Sequence, residues 1–278
     1  PRTCPEGYNV GALRLAQVVP ERDFYPMAAA AEYLRYTEIA PPSPGESVQL
    51  AEQLQWVRMP LPFMLGHINL WMLGKPDATT IVDTGLNGDE TQSLWRKLLS
   101  DRTLESVVIT HMHPDHVGSA GWLVEHYNVP LYMSRAEYLM CRVLVADTGR
   151  PAPEAGVEFY RRAGFDETAL QRYRDKFGIF GKAVYSMPDA YRRIYGGDRF
   201  TFGDTEWLAV ETSGHCPEHI SFFDEDRNLF IAGDQLLPTI SSNVSVWPTE
   251  PEADPLGHWI RSCRKLIDLL DDDTLVLP

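Results

Sequence analysis

The chain has 278 residues, 44% of them hydrophobic and 23% charged, with a formal net charge of -14. That apolar fraction supports a packed core and excludes a disordered chain, while the acidic balance excludes the basic footprint of a nucleic-acid binder. The four cysteines, Cys4, Cys141, Cys216 and Cys263, form no C-x-x-C pair and no dense framework, which excludes a disulfide scaffold and points to a reducing, cytoplasmic setting.

The opening PRTCPEGYNV has neither the basic start nor the apolar core of a signal peptide. The absence of an initial methionine suggests a trimmed N-terminus. No apolar run is long enough to cross a bilayer, so no membrane partner is expected. Residues 1–47 read as an N-terminal extension. In it DFYPMAAAAEYLRY suggests a short helix and APPSPGES is a breaker-rich linker. From Val48 the pattern turns to strands. LQWVRMPLPF and HINLWML are extended segments around a turn at Gly66, and TTIVDTG is a third strand ending at Asp83. DETQSLWRKLL has helical spacing with Asp89 as N-cap, and LESVVIT is the next strand. GSAGWLVEHY reads as a helix and VPLYMS as a strand. Residues 136–199 then change to helix-period sequence rich in Arg and Tyr, with no convincing strand, as in a helical insertion. Strands resume in TEWLAVET, and HISFFDED with NLFIAGD forms a hairpin. PLGHWIRSCRKLIDLL is an amphipathic helix, and TLVLP is a last strand. Two strand-rich halves with helices outside suggest sheets sandwiched between helices.

Within VVITHMHPDHVGSAGW, three histidines and an aspartate crowd into six residues after a greasy run. His111 and His113 are two apart, so in an extended segment they face one side and Met112 the other. Pro114 stops the strand and keeps His113 extended. The chain then turns, and Asp115 and His116 swing toward a neighbouring point. Imidazoles and a carboxylate at this density are a donor set for zinc and similar ions. Two later stretches add to it. ETSGHCPEHISFF places His215 on a loop after a strand, with Gly214 allowing close backbone approach, and LFIAGDQ ends a greasy strand in Asp234. A carboxylate at such a strand end is costly to desolvate unless it is paired or on a metal.

THMHPDHVGS, TSGHCPEHISF and LFIAGDQ, with IVDTG upstream, resemble the signature of the metallo-β-lactamase fold superfamily. The resemblance covers residues 48–278 apart from the insertion. It implies an α/β fold: an αββα sandwich of the metallo-β-lactamase type with a helical insertion, carrying a two-metal site at one edge of the sheets. It implies that His111, His113 and His215 hold one ion, that Asp115 and His116 hold a second, and that Asp234 bridges them. Asp83 and His219 would support these ligands from behind. A last histidine that the family supplies after the final strand has no counterpart in TLVLP, and His258, on a helix pattern, is a poor substitute.

Two cations about 3.5–4 Å apart can share a water and lower its pKa toward neutrality, and the resulting hydroxide attacks an acyl or phosphoryl centre. Asp115 is the candidate to orient it and shuttle its proton. Zinc is the first expectation, with iron and manganese tolerating overlapping donors. Asp234 at the bridging position resembles the glyoxalase II-like and lactonase-like branches, which implies a small ester, thioester or lactone as substrate. The alternatives are a mononuclear iron enzyme like the persulfide dioxygenases and a catalytically silent, metal-containing ligand sensor. Cys216 reads as a small packed residue rather than a nucleophile. The insertion would lie over the site or form a homodimer contact. Its Tyr138, Tyr160, Tyr173, Tyr185 and Tyr191, with neighbouring arginines, are available to clasp an acyl chain or an anion.

Overall fold

A computed structural model describes residues 13–14, 34–62 and 65–278. Two short strands, β1 (Leu13–Arg14) and β2 (Arg35–Tyr36), come first. A meander follows: β3 (Ser47–Ala51), β4 (Leu54–Pro60), β5 (His67–Lys75) and β6 (Ala78–Val82). Helix α1 (Asp89–Leu98) leads to β7 (Leu104–Val108). After it come the single turn α2 (Pro114–Val117), α3 (Ala120–Tyr127) and β8 (Leu131–Met133). Three helices, α4 (Arg135–Ala146), α5 (Glu154–Arg162) and α6 (Glu167–Lys176), precede β9 (Arg192–Arg193). Then come β10 (Arg199–Phe202), β11 (Thr205–Thr212), β12 (His219–Asp224), β13 (Leu229–Ile231), α7 (Pro255–Leu269) and β14 (Leu275–Leu277).

These strands make two seven-stranded sheets. One runs β3-β4-β5-β6-β7-β8-β9 and the other β10-β11-β12-β13-β14-β1-β2. The strands read as continuous greasy runs because both faces are covered. Alternation divides each strand between two cores. Leu54, Trp56, Trp71, Leu73, Val82 and Val108 point inward to Trp207, Phe222, Ile231 and Leu277 of the facing sheet. Their neighbours Val57, Met59, Leu70, Met72, Ile81 and Val107 point outward to Trp95, Leu123, Tyr138 and Cys141 of the first sheet's helices. Phe223, Phe230 and Val276 of the second sheet meet Leu266 and Leu270 at α7. The order is helix, sheet, sheet, helix, as expected. No described helix is long and apolar enough to cross a membrane.

Local chemistry explains the helix ends. Asp89 and Glu90 occupy the first turn of α1 and Arg96 and Lys97 its last, each favoured by the helix dipole. Gly88 is the N-cap rather than Asp89, which lies one position inside. At α7 the Asp254 carboxylate caps the Gly257 N–H at 2.8 Å, with Pro255 at the first helical position.

Two expectations change. Among the described residues of the N-terminal stretch, β1 and β2 join the second sheet. β1 pairs antiparallel with both β14 and β2, and β3 already begins at Ser47. Arg35 and Tyr36 are strand rather than helix, and the rest of DFYPMAAAAEYLRY apart from Leu34 lies outside the described residues. Residues 136–199 contain a strand after all, since β9 pairs parallel with β8 and extends the first sheet. Two arginines have no strand pattern to read, and only the edge of β8 recruits them.

Candidate metal centre

The donors sit where strands of both sheets end. The loop of His111, His113, Asp115 and His116 follows β7. His215 follows β11, and Asp234 follows β13 on a short turn. The two sheets are joined at this point by a backbone hydrogen bond from Ile220 N to Thr110 O at 3.0 Å. His113 is extended at φ -61 and ψ 145, and Pro114 opens α2, as the X-Pro restriction requires. Met112 turns into the core while its two neighbours face each other, with His111 Nε2 2.9 Å from His113 Nδ1.

His111, His113, His215 and Asp234 each offer a ligand atom, and these atoms lie within 4.8 Å of one another. His116 adds a second point: its Nε2 is 3.3 Å from Asp234 Oδ1 and 3.9 Å from Asp115 Oδ2. His219 packs its ring 5.0 Å from that of His111 but belongs to no donor group, and its buried Nε2 has no hydrogen-bond partner. Gly233, at φ +53, lets the Asp234 turn pass over that ring, since a Cβ there would lie 2.7 Å from His219 Nε2. His67, His126 and His258 lie on β5, α3 and α7, and His126 stacks on Trp122.

The outer ring nitrogens are tied down. His111 Nδ1 meets Thr110 Oγ1 at 2.9 Å, and that hydroxyl donates to Asp83 Oδ2 at 2.8 Å. His116 Nδ1 lies 2.8 Å from the same Asp83 oxygen. His215 Nδ1 donates to the Asn243 carbonyl at 2.8 Å. Each partner is an acceptor, so the proton belongs on Nδ1 and the Nε2 lone pair faces inward. Asp83 is built for this. Its φ of 61 is left-handed, and its other oxygen accepts the Thr110 N–H at 2.8 Å.

Charge in the cluster follows from burial. Burial and the neighbouring His116 and His113 hold His111 well below its ordinary pKa. Burial, then His215, brings His113 down to about 3. Burial also opposes charge on His116, yet the carboxylates of Asp234, Asp83 and Asp115 raise it well above the ordinary value. Burial opposes the charge of Asp234 too, but His116 and His215 hold it well below the usual carboxylate range. Neutral His111 and His113 beside the ionised Asp234 are the protonation states a divalent cation needs, and a cation would displace a proton from His116. The buried His116 Nε2 has no hydrogen-bond partner of good geometry, with the Asp234 and Asp115 carboxylates at 3.3 and 3.9 Å, and a cation there would satisfy it. The residues fit a metal.

Several contributors carried little sequence signal. Thr110 precedes the motif, and the Asn243 carbonyl has no side-chain signature at all. Glu137 is fully buried and accepts from Met112 N at 3.0 Å and Glu218 N at 2.9 Å. Its spacing of four from buried Cys141 puts a carboxylate on a helix's core face, which is legible as an anomaly. The insertion's aromatics pack on one another and on neighbouring segments. Tyr138 stacks on Tyr191 and donates to Pro188 O at 2.6 Å, Tyr160 packs on Tyr173, and Tyr185 bonds Glu125 at 3.0 Å.

Residues 64–277 match the family model described as the metallo-beta-lactamase superfamily. The chain belongs to that superfamily. It is similar to a beta-lactamase domain protein from Burkholderia ambifaria, with 34% identity, a TM-score of 0.75, and coverage of 87% of this chain and 72% of that one. It is 28% identical over 237 residues to the probable metallo-hydrolase YqjP of Bacillus subtilis, covering 80% of this chain and 69% of the relative. A match of 24% over 209 residues to the atrochrysone carboxyl ACP thioesterase of Aspergillus fumigatus covers 74% of this chain and 36% of that protein. With its His/Asp cluster, this member of the superfamily is a metal-dependent hydrolase.

Proposed function

We propose that the chain is a binuclear hydrolase of small esters, thioesters or lactones, akin to the glyoxalase II-like and lactonase-like branches. The reach of Asp234 carries this reading. Its Oδ2 lies 3.3 Å from His215 Nε2 and 3.8 Å from His111 Nε2, while Oδ1 lies 3.3 Å from His116 Nε2. One carboxylate thus faces two donor sets. His111, His113 and His215 would hold one ion, Asp115 and His116 the other, and Asp234 would bridge them, with zinc the first choice for this donor chemistry. A pair of divalent cations supplies Lewis acidity and brings the pKa of a water toward neutrality.

The chain's own groups do the rest. Asp83 and the Asn243 carbonyl keep the imidazoles in the ligating tautomer. Asp115 keeps a quarter of its side chain exposed beside the cluster. It accepts a hydrogen bond from the attacking water and carries the proton toward the leaving group. No cysteine nucleophile is needed. Burial and the adjacent Glu137 push the Cys216 thiol far above its ordinary value, so it stays protonated. The similarity to a protein named as an ACP thioesterase supports the thioester class. Cys141, Cys216 and Cys263 are free thiols, in keeping with a reducing compartment.

Metal analysis joined to a panel of thioester, lactone and phosphodiester substrates tests the reading, with Asp115→Ala as control. Two ions per chain and thioester or lactone turnover are expected, falling by about 100- to 10,000-fold in the variant. A single iron with oxygen uptake would replace the proposal with a dioxygenase. Two ions without turnover of any substrate would replace it with a sensor.

A further inference from the structure

Glu137 lies on α4, a helix that supplies no metal donor, yet its fully buried carboxylate reaches both donor-bearing segments. Oε2 accepts the backbone N–H of Met112 at 3.0 Å, the residue between His111 and His113. Oε1 accepts the backbone N–H of Glu218 at 2.9 Å, three residues beyond His215. The start of α4 adds two further ties. The Ser134 hydroxyl donates to the Glu218 carbonyl at 2.7 Å, and the Glu218 carboxylate accepts the Ala136 N–H at 2.8 Å. We infer that Glu137 is a positioning residue of the metal centre, tying the loop of His111 and His113 to the loop of His215 and so setting the spacing of the three imidazoles.

The chemistry requires a carboxylate here. Two backbone donors, one from each loop, converge on the side chain, and an ionised Glu is acceptor-only on both oxygens. A glutamine has one acceptor oxygen and would turn its own N–H groups against one of the backbone N–H groups. That leaves a buried donor unsatisfied and frees one loop from the other. Zinc–imidazole bonds tolerate only a few tenths of an ångström around about 2.0–2.1 Å, so donors on two independently held loops need such a brace. Burial raises the pKa of Glu137, and the two backbone N–H groups work against that rise by favouring the ionised carboxylate. A side chain that merely satisfied core N–H groups would leave cation affinity untouched, and this separates the two accounts.

The inference rests on His111, His113, His215 and Asp234 forming a metal site, and the experiment separates the two failures. The full chain is stripped with chelator and titrated with Co2+ by visible absorption as wild type, Glu137→Gln, Ser134→Ala and Thr80→Val. Thr80 pairs with Ser106 through buried hydroxyls at 2.8 Å and bonds no donor of the cluster, so its loss reports stability alone. Glu137→Gln is expected to weaken the tightest Co2+ site by about 10- to 100-fold and alter its ligand-field bands. The circular dichroism of its metal-free form should match wild type. Ser134→Ala should weaken binding in the same direction, and Thr80→Val should lower the melting temperature with affinity unchanged. Wild-type affinity and spectrum in a folded Glu137→Gln overturn the inference. Should that variant not fold, unchanged affinity in Ser134→Ala overturns it instead. A wild type that takes up no Co2+ removes the metal site itself.

Discussion

Oδ2 of Asp83 lies 2.8 Å from Nδ1 of His116 and receives the Thr110 hydroxyl at the same distance. One buried oxygen thereby orients His116 directly and His111 through Thr110. The donors sit at the end of β7 and the acid at the end of β6, neighbours in a parallel ladder where Val82 faces Val108. Parallel pairing brings the two strand ends to the same edge, and this makes the arrangement available.

Asp83→Asn isolates that role. Asparagine tolerates the left-handed φ of 61 as well as aspartate does, so the backbone has no reason to move. What changes is acceptance, because one oxygen must serve where two served three donors. Zinc affinity is expected to fall about 10- to 100-fold, with stability lower by ~2 kcal/mol. Calorimetric zinc titration and urea unfolding read the two effects, and unchanged zinc affinity would remove Asp83 from the centre.

Asp234→Asn tests the bridge. An amide presents one carbonyl oxygen and cannot face the His215 side and the His116 side alike. Metal analysis after dialysis should drop from two ions per chain to one, with hydrolysis lost alongside. Retention of both ions would show that the two donor sets do not depend on a shared carboxylate.

Gly214→Ala should damage the site from outside it. Gly214 sits at φ +118, and an added Cβ would come 2.5 Å from Trp259 N and 2.6 Å from Trp259 Cα. Both atoms are backbone of α7 and cannot rotate away. A loss of ~3 kcal/mol is expected in urea unfolding, together with weaker metal binding as His215 is displaced. Wild-type stability would mean that α7 shifts freely.

His67 gives a pH dependence separate from the donors. Burial, then the nearby Arg58, brings it from 6.5 down to about 4. Between those values the unfolded chain takes up a proton that the folded chain refuses. Its contribution is therefore full above pH 6.5, is lost as pH falls to about 4, and does not change further below that. His67→Gln should flatten this part of the acid arm in urea midpoints measured across that window. An NMR titration of the ring centred near 6.5 would contradict it.

The metal-bearing stretches were legible because their chemistry is local. His111, His113, Pro114 and His116 lie within six residues, and the strand period alone separates Met112 from its neighbours. Asp83 and Asp234 each end a greasy run, where an unpaired carboxylate is costly. The strands themselves followed from their apolar runs, and the αββα order came from the family resemblance.

Chain-distant partners were a different matter. Glu137 stands 25 residues from Met112 and 81 from Glu218, and neither backbone donor carries a side-chain mark. The Asn243 carbonyl and the pairing of β9 with β8 are equally silent in the residue pattern. Taken alone, the sequence determined which residues can ligate, because donor type and strand period are properties of neighbouring residues. Only the tertiary structure decided which groups hold those ligands in place, because the choice among backbone acceptors and donors is made by packing between segments far apart in the chain.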